Sequence, residues 1–362
     1  MDLVREKTLP QMRVGIVTFS AAYNYGAALQ CRCLLEVLRG LGLEAYVLDY
    51  RPEYLTEPYK ILKPYYFKKL SIFLTLPWRF WGARRRDRLF RQFQKTLSLV
   101  PFGAGGVDAV FFGSDQIWNP RICRGLDPVF FAAIPPFSDT CNIAYAASDG
   151  SVPLKAIQAA EYQRYMQHFH RIGVREQSLQ DRLSAWGITS TVTLDPVLLA
   201  GRPVLDKMAA YRREGESYVL TYEAIDNTAV RSLAATLGQR KVISVAREPY
   251  SEGSNRFGPE EFVALVRDAS SVVTTSFHGV ALSLLYHKVF YYVETGSPAD
   301  DRIRSLLTAI GLEGRMVPPG GTLPQKPIDY SSADAALSVL RARSLDFIKE
   351  ALQTSMPGCT DV

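Results

Sequence analysis

At 362 residues the chain exceeds the length at which a single core keeps growing, so it is read as two domains. Hydrophobic content of 47% with 22% charged residues suits a globular protein and excludes a largely disordered or collagen-like one. No apolar run approaches the roughly 20 residues of a membrane-crossing helix, and the opening MDLVREKTLP lacks the apolar core of a secretory signal, so the expected location is cytoplasmic. In chain order, VGIVTF (14–19) is a buried strand by composition and SAAYNYGA a loop. Residues 29–41 have helical apolar spacing ending at Gly40 and Gly42, and 45–49 is the next strand. Strand, glycine-containing loop, helix and strand in that order make a parallel crossover. Further strands are expected at 107–112, 142–147, 170–174 and 191–194, with a helix at 178–186.

The alternation begins again near Tyr218. Strands are expected at 218–222, 241–245, 271–275 and 289–293, with helices at 228–237, 259–268 and 279–287. The reading is α/β: two Rossmann-like domains facing a cleft, at 11–200 and 216–330, with 201–215, rich in Pro, Arg and Gly, as the linker. A final helix within 331–356 is expected to pack back across them. Five cysteines show no zinc spacing and read as small buried hydrophobes. His168 and His170 flank one Phe and diverge, so no metal site is expected.

Residues 58–100 stand apart. Eleven Lys and Arg face Asp87 as the one acid, ten net positive charges in a chain whose total is +6. Trp78, Trp81, Tyr65, Tyr66 and Phe67 lie among them. One reading is an inserted helical pair with a solvated basic face. The other is contact with the anionic inner face of the membrane, where each nearby cation contributes about 1 kcal/mol. Nucleic acid is not expected as a partner, because no recognisable binding module surrounds the segment.

His278, one of four histidines, sits where a strand gives way to a helix, the carboxyl edge at which open α/β sheets bind ligands. Four segments at such loops, in this order, together resemble the polysaccharide pyruvyl transferase family. They are Asn24-Tyr25-Gly26-Ala27-Ala28-Leu29-Gln30, Gly113-Ser114-Asp115-Gln116-Ile117-Trp118-Asn119, Val174-Arg175-Glu176 with Leu194-Asp195-Pro196 downstream, and Ser276-Phe277-His278-Gly279. The resemblance spans about residues 14–295. It implies the two-domain arrangement called GT-B and transfer of an enolpyruvyl unit from phosphoenolpyruvate to a sugar diol as a ketal, with no cofactor and no metal. The acceptor it implies is a sugar or lipid-linked oligosaccharide.

That chemistry asks for cations and helix amino termini around a phosphate and a carboxylate, a general acid for the methylene carbon and a carboxylate base for the attacking hydroxyl. By the resemblance, His278 is the general acid and Arg175 holds the donor anions, with Ser276 and Gly279 in the donor pocket. From its place after a strand and a glycine, Asp115 can point into the cleft as base or sugar ligand. Asn24, Tyr25, Gly26, Ser114, Gln116, Trp118 and Asn119 are assigned to the acceptor side or the cleft. Structural alternatives stay open: a histidine capping its own helix, an Arg175–Glu176 surface pair, an Asx turn at Asp115, a helix cap at Asn24 and a turn at Asp195. In the family an arginine stands where this chain has Ser276, so the pocket lacks that cation, and Arg247 is a candidate to supply it from a neighbouring strand end.

Two rival functions use the same architecture. A nucleotide-sugar glycosyltransferase needs a helix-start anion site too, but Glu294 lacks the paired glutamate of its retaining members. A non-catalytic, membrane-associated glycan-assembly protein would use only the basic insert and the cleft. A dinucleotide dehydrogenase is disfavoured, since no G-x-G-x-x-G opens the first helix.

Overall fold

A computed structural model describes residues 12–59, 70–103, 105–135, 137, 140–209, 216–223, 228–238, 241–246 and 256–353, apart from the side chains of 70–80, 156, 157 and 246. Seven strands form the first sheet: β1 (Arg13–Val17), β2 (Glu44–Asp49), β3 (Leu99–Pro101), β4 (Ala109–Phe112), β5 (Cys141–Ala147), β6 (Arg171–Val174) and β7 (Thr191–Val192). Their order is β3-β2-β1-β4-β5-β6-β7, every pair parallel. The second sheet takes β8 (Val219–Glu223), β9 (Val242–Ala246), β10 (Ser271–Thr274), β11 (Val289–Val293) and β12 (Met316–Val317). Its order is β12-β11-β10-β8-β9, again all parallel. In both sheets the order reverses beside the first strand, which opens a crevice at the carboxyl ends there. The α/β, two-sheet reading is what the chain adopts, and the continuous apolar strands AVFF and SVVT are buried along their length, as doubly covered parallel strands must be.

The helices are α1 (Tyr25–Gly40), α2 (Glu53–Thr56), α3 (Leu70–Gln94), α4 (Ala156–Met166), α5 (Gln177–Ala185), α6 (Pro196–Met208), α7 (Thr228–Thr236), α8 (Pro259–Asp268), α9 (Phe277–Leu285), α10 (Asp301–Ala309) and α11 (Tyr330–Gln353). Two differ from the sequence expectation. Helix α1 starts four residues early, because Asn24 Oδ1 accepts from Ala27 N (3.2 Å) and caps it. The first part of the expected linker is helical: α6 runs through Gly201, whose φ of 66° breaks the helical geometry without ending the element. In the basic segment residues 60–69 lie outside the described residues; the rest holds one long helix and then returns to the first sheet as edge strand β3.

One apolar cluster runs through both units, joining Leu34 of α1, Leu198 and Leu205 of α6, Phe262 of α8, Leu284 of α9 and Ile348 of α11. Burying each such side chain contributes about 1.5–3 kcal/mol. Arg85 of α3 also forks onto Glu261 of α8, with Nη1 2.9 Å from Oε2, but a half-exposed pair of this kind is worth about 0–1 kcal/mol. The apolar seam therefore dominates. Helix α11 crosses it: Arg341 Nε donates to Leu198 O (2.8 Å), Ser344 Oγ accepts from Leu194 N (2.9 Å), and Tyr330 hydroxyl donates to the Lys288 carbonyl (2.5 Å).

Candidate functional site

The loop after β10 carries His278 into the seam as the second residue of α9. Thr274 organises that loop, its hydroxyl donating to Tyr222 O (2.6 Å) and accepting from Ser276 N (3.0 Å). Gly279 packs so closely on it that a Cβ would lie 2.5 Å from Thr274 Oγ1. Across the seam, the first turn of α1 abuts the imidazole. A Cβ at Gly26 would lie 2.0 Å from His278 Nδ1, so the ring occupies space that only glycine leaves.

The other ring nitrogen faces Asp195. His278 Nε2 is 3.5 Å from Asp195 Oδ2, and Arg175 Nη2 is 2.9 Å from that same oxygen. Asp195 Oδ1 is spent on capping α6, accepting from Val197 N (2.8 Å) with Pro196 at the first helical position. The turn and the charged role are thus both true of Asp195. Burial pushes its carboxyl up, but Arg175 and His278 outweigh burial and hold it at about 2. Arg175, at the carboxyl end of β6, also donates to Ser114 Oγ and lays its guanidinium 5.0 Å from the Phe277 ring centroid. Its Nε and Nη1 are buried without a hydrogen-bond partner, and Nη1 lies 3.9 Å from Asp115 Oδ1.

Ser114 is fixed by groups far away in sequence. Its N–H donates to Gln30 Oε1 (3.1 Å), its carbonyl accepts from Thr18 Oγ1 (2.9 Å), and Gln30 Nε2 donates to that hydroxyl (2.8 Å). Gln30 ends the first of the four segments and holds the second in place. Asp115 adopts φ 80°, forms a lone parallel bridge to Ala147, and accepts from Gln116 N (2.9 Å). That bond is to the next residue and not to the second one on, as an Asx turn requires, and the side chain lines a cavity.

Members of this charged group line two cavities, and His278 is in the lining of neither. One, of about 580 Å³, lies between the domains and is lined by Arg175, Asp195, Phe277, Arg304, Ser305 and Arg343. The other, of about 320 Å³, is in the first domain, lined by Asn24, Asp115, Gln116, Tyr54 and Tyr59 among others. Arg175 and Asp115, 3.9 Å apart, belong to opposite cavities.

The expected residues divide accordingly. His278, Arg175, Ser114, Asp115 and Gly26 converge, Ser276 is buried beside His278 as the N-cap residue of α9 and brings no charge, and Asn24 both caps α1 and lines the smaller cavity. Gly279 serves close packing. Trp118 is not a cleft residue: its Nε1 donates to Phe130 O (2.9 Å) and its ring stacks on Phe131 at 5.6 Å in the first domain's core. Tyr25 is also buried, its hydroxyl donating to Phe257 O (3.0 Å) and its ring stacked on Phe262 at 4.5 Å, so it pins one domain to the other. An apolar ring costs water nothing once covered, and both positions fall on the buried side of their elements. Asn119 shapes its turn by accepting from Arg121 N (2.9 Å). Arg247 lies outside the described residues. The surface pair with Glu176 is excluded, since both residues are buried; Glu176 accepts from Ser148 Oγ (2.7 Å), and burial, then Asp149, pushes its carboxyl up to about 7. Sequence reading gave no role to Gln30 or to Arg302 of α10. Gln30 stood in a quoted segment, and only its amide partners reveal its use.

A family model described as polysaccharide pyruvyl transferase matches residues 24–297. No curated protein matches the chain. Among solved structures, similar ones include UDP-GlcNAc 2-epimerase from Neisseria meningitidis bound to UDP-GlcNAc, at 10% identity and TM-score 0.41, covering 95% of this chain and 94% of that one. The spinosyn rhamnosyltransferase SpnG is 12% identical with TM-score 0.41, covering 96% of this chain and 97% of its own.

Proposed function

Since this chain belongs to the polysaccharide pyruvyl transferase family and is a transferase acting on a sugar, we propose that its donor is phosphoenolpyruvate and that His278 and Arg175 handle it. The observation that carries this reading is the shared Asp195 oxygen: an imidazole and a guanidinium converge on one buried carboxylate, and two N–H groups of the guanidinium remain unspent. A donor carrying a phosphate and a carboxylate supplies acceptors for them. The ionised Asp195 faces His278 Nε2 at 3.5 Å.

In the proposed reaction His278 gives a proton to the methylene carbon C3, leaving cationic character at C2. One sugar hydroxyl bonds to C2 as Asp115 takes its proton. The C2–O bond to phosphate then breaks, and the second hydroxyl closes the ketal, its proton leaving with the phosphate. The two cavities suit two substrates meeting across Arg175 and Asp115. Asn24, Gln116, Tyr54 and Tyr59 offer amides and rings of the sort that hold a sugar, so the acceptor is assigned to the smaller cavity.

The test is a mass-spectrometric donor screen with oligosaccharides bearing a 4,6-diol, comparing phosphoenolpyruvate with nucleotide sugars. Phosphate release with a ketal on the acceptor is expected from phosphoenolpyruvate alone. His278→Ala should abolish it with the fold intact, and an active H278A enzyme would remove the acid role. Transfer from a nucleotide sugar would instead establish the glycosyltransferase alternative.

No helix among the described residues is long and apolar enough to cross a membrane. On α3, Trp81, Arg84, Arg88 and Arg91, with Lys95 just past its end, are exposed at helical spacing, Trp81 at 61%. We assign this stripe to an anionic lipid surface, where a lipid-linked acceptor would be presented. Cosedimentation with vesicles containing phosphatidylglycerol should fall for the R84E/R88E variant; binding that persists unchanged would reject the assignment.

A further inference from the structure

Arg302 lies in the first turn of α10, in the second domain, and its guanidinium reaches Gln116 of the first. It is 8% exposed. The Gln116 amide, with its oxygen toward the guanidinium, accepts from Nη1 (3.1 Å) and Nη2 (3.2 Å), while Nε is buried with no partner. Among the described residues no carboxylate lies within ion-pair distance of it. Asp300, just before α10, is engaged elsewhere: it accepts from Tyr292 hydroxyl (2.6 Å), Thr295 Oγ1 (2.8 Å) and Gly296 N (2.9 Å).

A guanidinium taken out of water without a direct ion pair is an expensive arrangement, and a chain that only needed to join two domains at this point could do so with a neutral side chain. Burial, then the neighbouring Arg175, pushes the Arg302 guanidinium pKa down, while Glu176 and Asp115 act the other way. The missing partner is therefore an anion that arrives from outside. We infer that Arg175 and Arg302, one from each domain, form a two-pronged site for a small dianion, with Gln116 holding the second prong until the anion takes its place. This rests on the donor reading above only for the identity of the dianion as phosphoenolpyruvate; the site itself follows from the two buried guanidinium groups and their unspent N–H donors. It also gives Gln116 a function distinct from sugar contact and couples anion binding to the relation between the domains.

The experiment is isothermal titration of the full chain with phosphoenolpyruvate and, separately, with inorganic phosphate, for wild type, Arg302→Gln and Arg302→Lys, each checked by thermal melting without anion. R302Q should bind both anions about 10- to 100-fold more weakly, the loss of one or two charge-assisted hydrogen bonds. R302K, which keeps the charge but not the planar fork, should fall between. In turnover, the KM for donor should rise while that for acceptor stays within about 2-fold, a split that loss of a domain contact would not produce. If R302Q does not fold, R302K decides. Wild-type affinity for both anions in the folded variant overturns the inference, as does a wild-type protein that binds neither. Arg302-dependent binding of phosphate without turnover of phosphoenolpyruvate leaves the two-arginine site standing and removes the donor reading.

Discussion

Replacing Gly26 with alanine tests the geometry of the seam directly, because two effects of known sign oppose each other there. Gly26 is the second residue of α1 and has no positive φ. On helix propensity alone, G26A should stabilise the protein by about 0.5–1 kcal/mol. The new methyl, however, would stand 2.0 Å from His278 Nδ1, 2.5 Å from Cε1 and 2.7 Å from Cγ, all on one ring. Restoring ordinary contact near 3.4 Å demands that the imidazole retreat by about 1.4 Å or that the domains part by as much. Overpacking of this size costs about 1–3 kcal/mol, which exceeds the propensity gain. The net expectation is a loss of about 0–2 kcal/mol, lowering Tm by a few degrees for domains of this size. Catalysis should suffer far more, since Nε2 is already 3.5 Å from Asp195 and displacement of a reacting group by about 1 Å costs on the order of 100-fold in kcat. The assay is phosphate release under saturating donor, with a thermal melt of the same preparation. An alanine variant that melts higher and turns over like wild type would show that the ring does not sit against α1, and the site would have to be redrawn.

Asp195 and Glu176 should shape stability against pH in opposite directions. Asp195 is held at about 2, below its free value of 3.8, so it contributes about 2 kcal/mol that is present above pH 4 and lost as pH falls through 2. Glu176 is raised to about 7 from 4.5, so stability should fall by about 3 kcal/mol as pH climbs between those values and level off above 7. Denaturant melts from pH 3 to 8 should therefore show a decline in stability between pH 5 and 7 that Glu176→Gln removes, and an unchanged slope in E176Q would mean that Glu176 is not the titrating group. Asp195→Asn should lose about 3–5 kcal/mol near neutrality, because Arg175 is left buried without its carboxylate.

How much of this could be read in advance depends on the distance over which each feature is determined. The strands VFYYV and SVVT and the helix EEFVALVRD show their period within a few residues, and all appear within one or two residues of expectation. The start of α1 is not legible in the sequence because a cap is a single side-chain choice, and SAAYNYGA reads as loop although Asn24 accepts from Ala27 N. Sharing segments with Asp115 and Gly26 places Trp118 and Tyr25 in the cleft by sequence, and the structure buries both. Neighbours along a turn point opposite ways, and a large ring goes where it can be covered.

The order of elements, their parallel pairing and the placement of His278, Arg175 and Asp115 at strand ends were determined by sequence alone, since each follows from local periodicity and from the chemistry of one side chain. Only the tertiary structure decided that Asp195 would join Arg175 to His278, that Gln30 would hold Ser114, and that Arg302 would reach Gln116 from the other domain. These partners lie between 20 and 186 residues apart along the chain. What brings them together is the packing of two sheets across one apolar seam, and no local pattern carries that information.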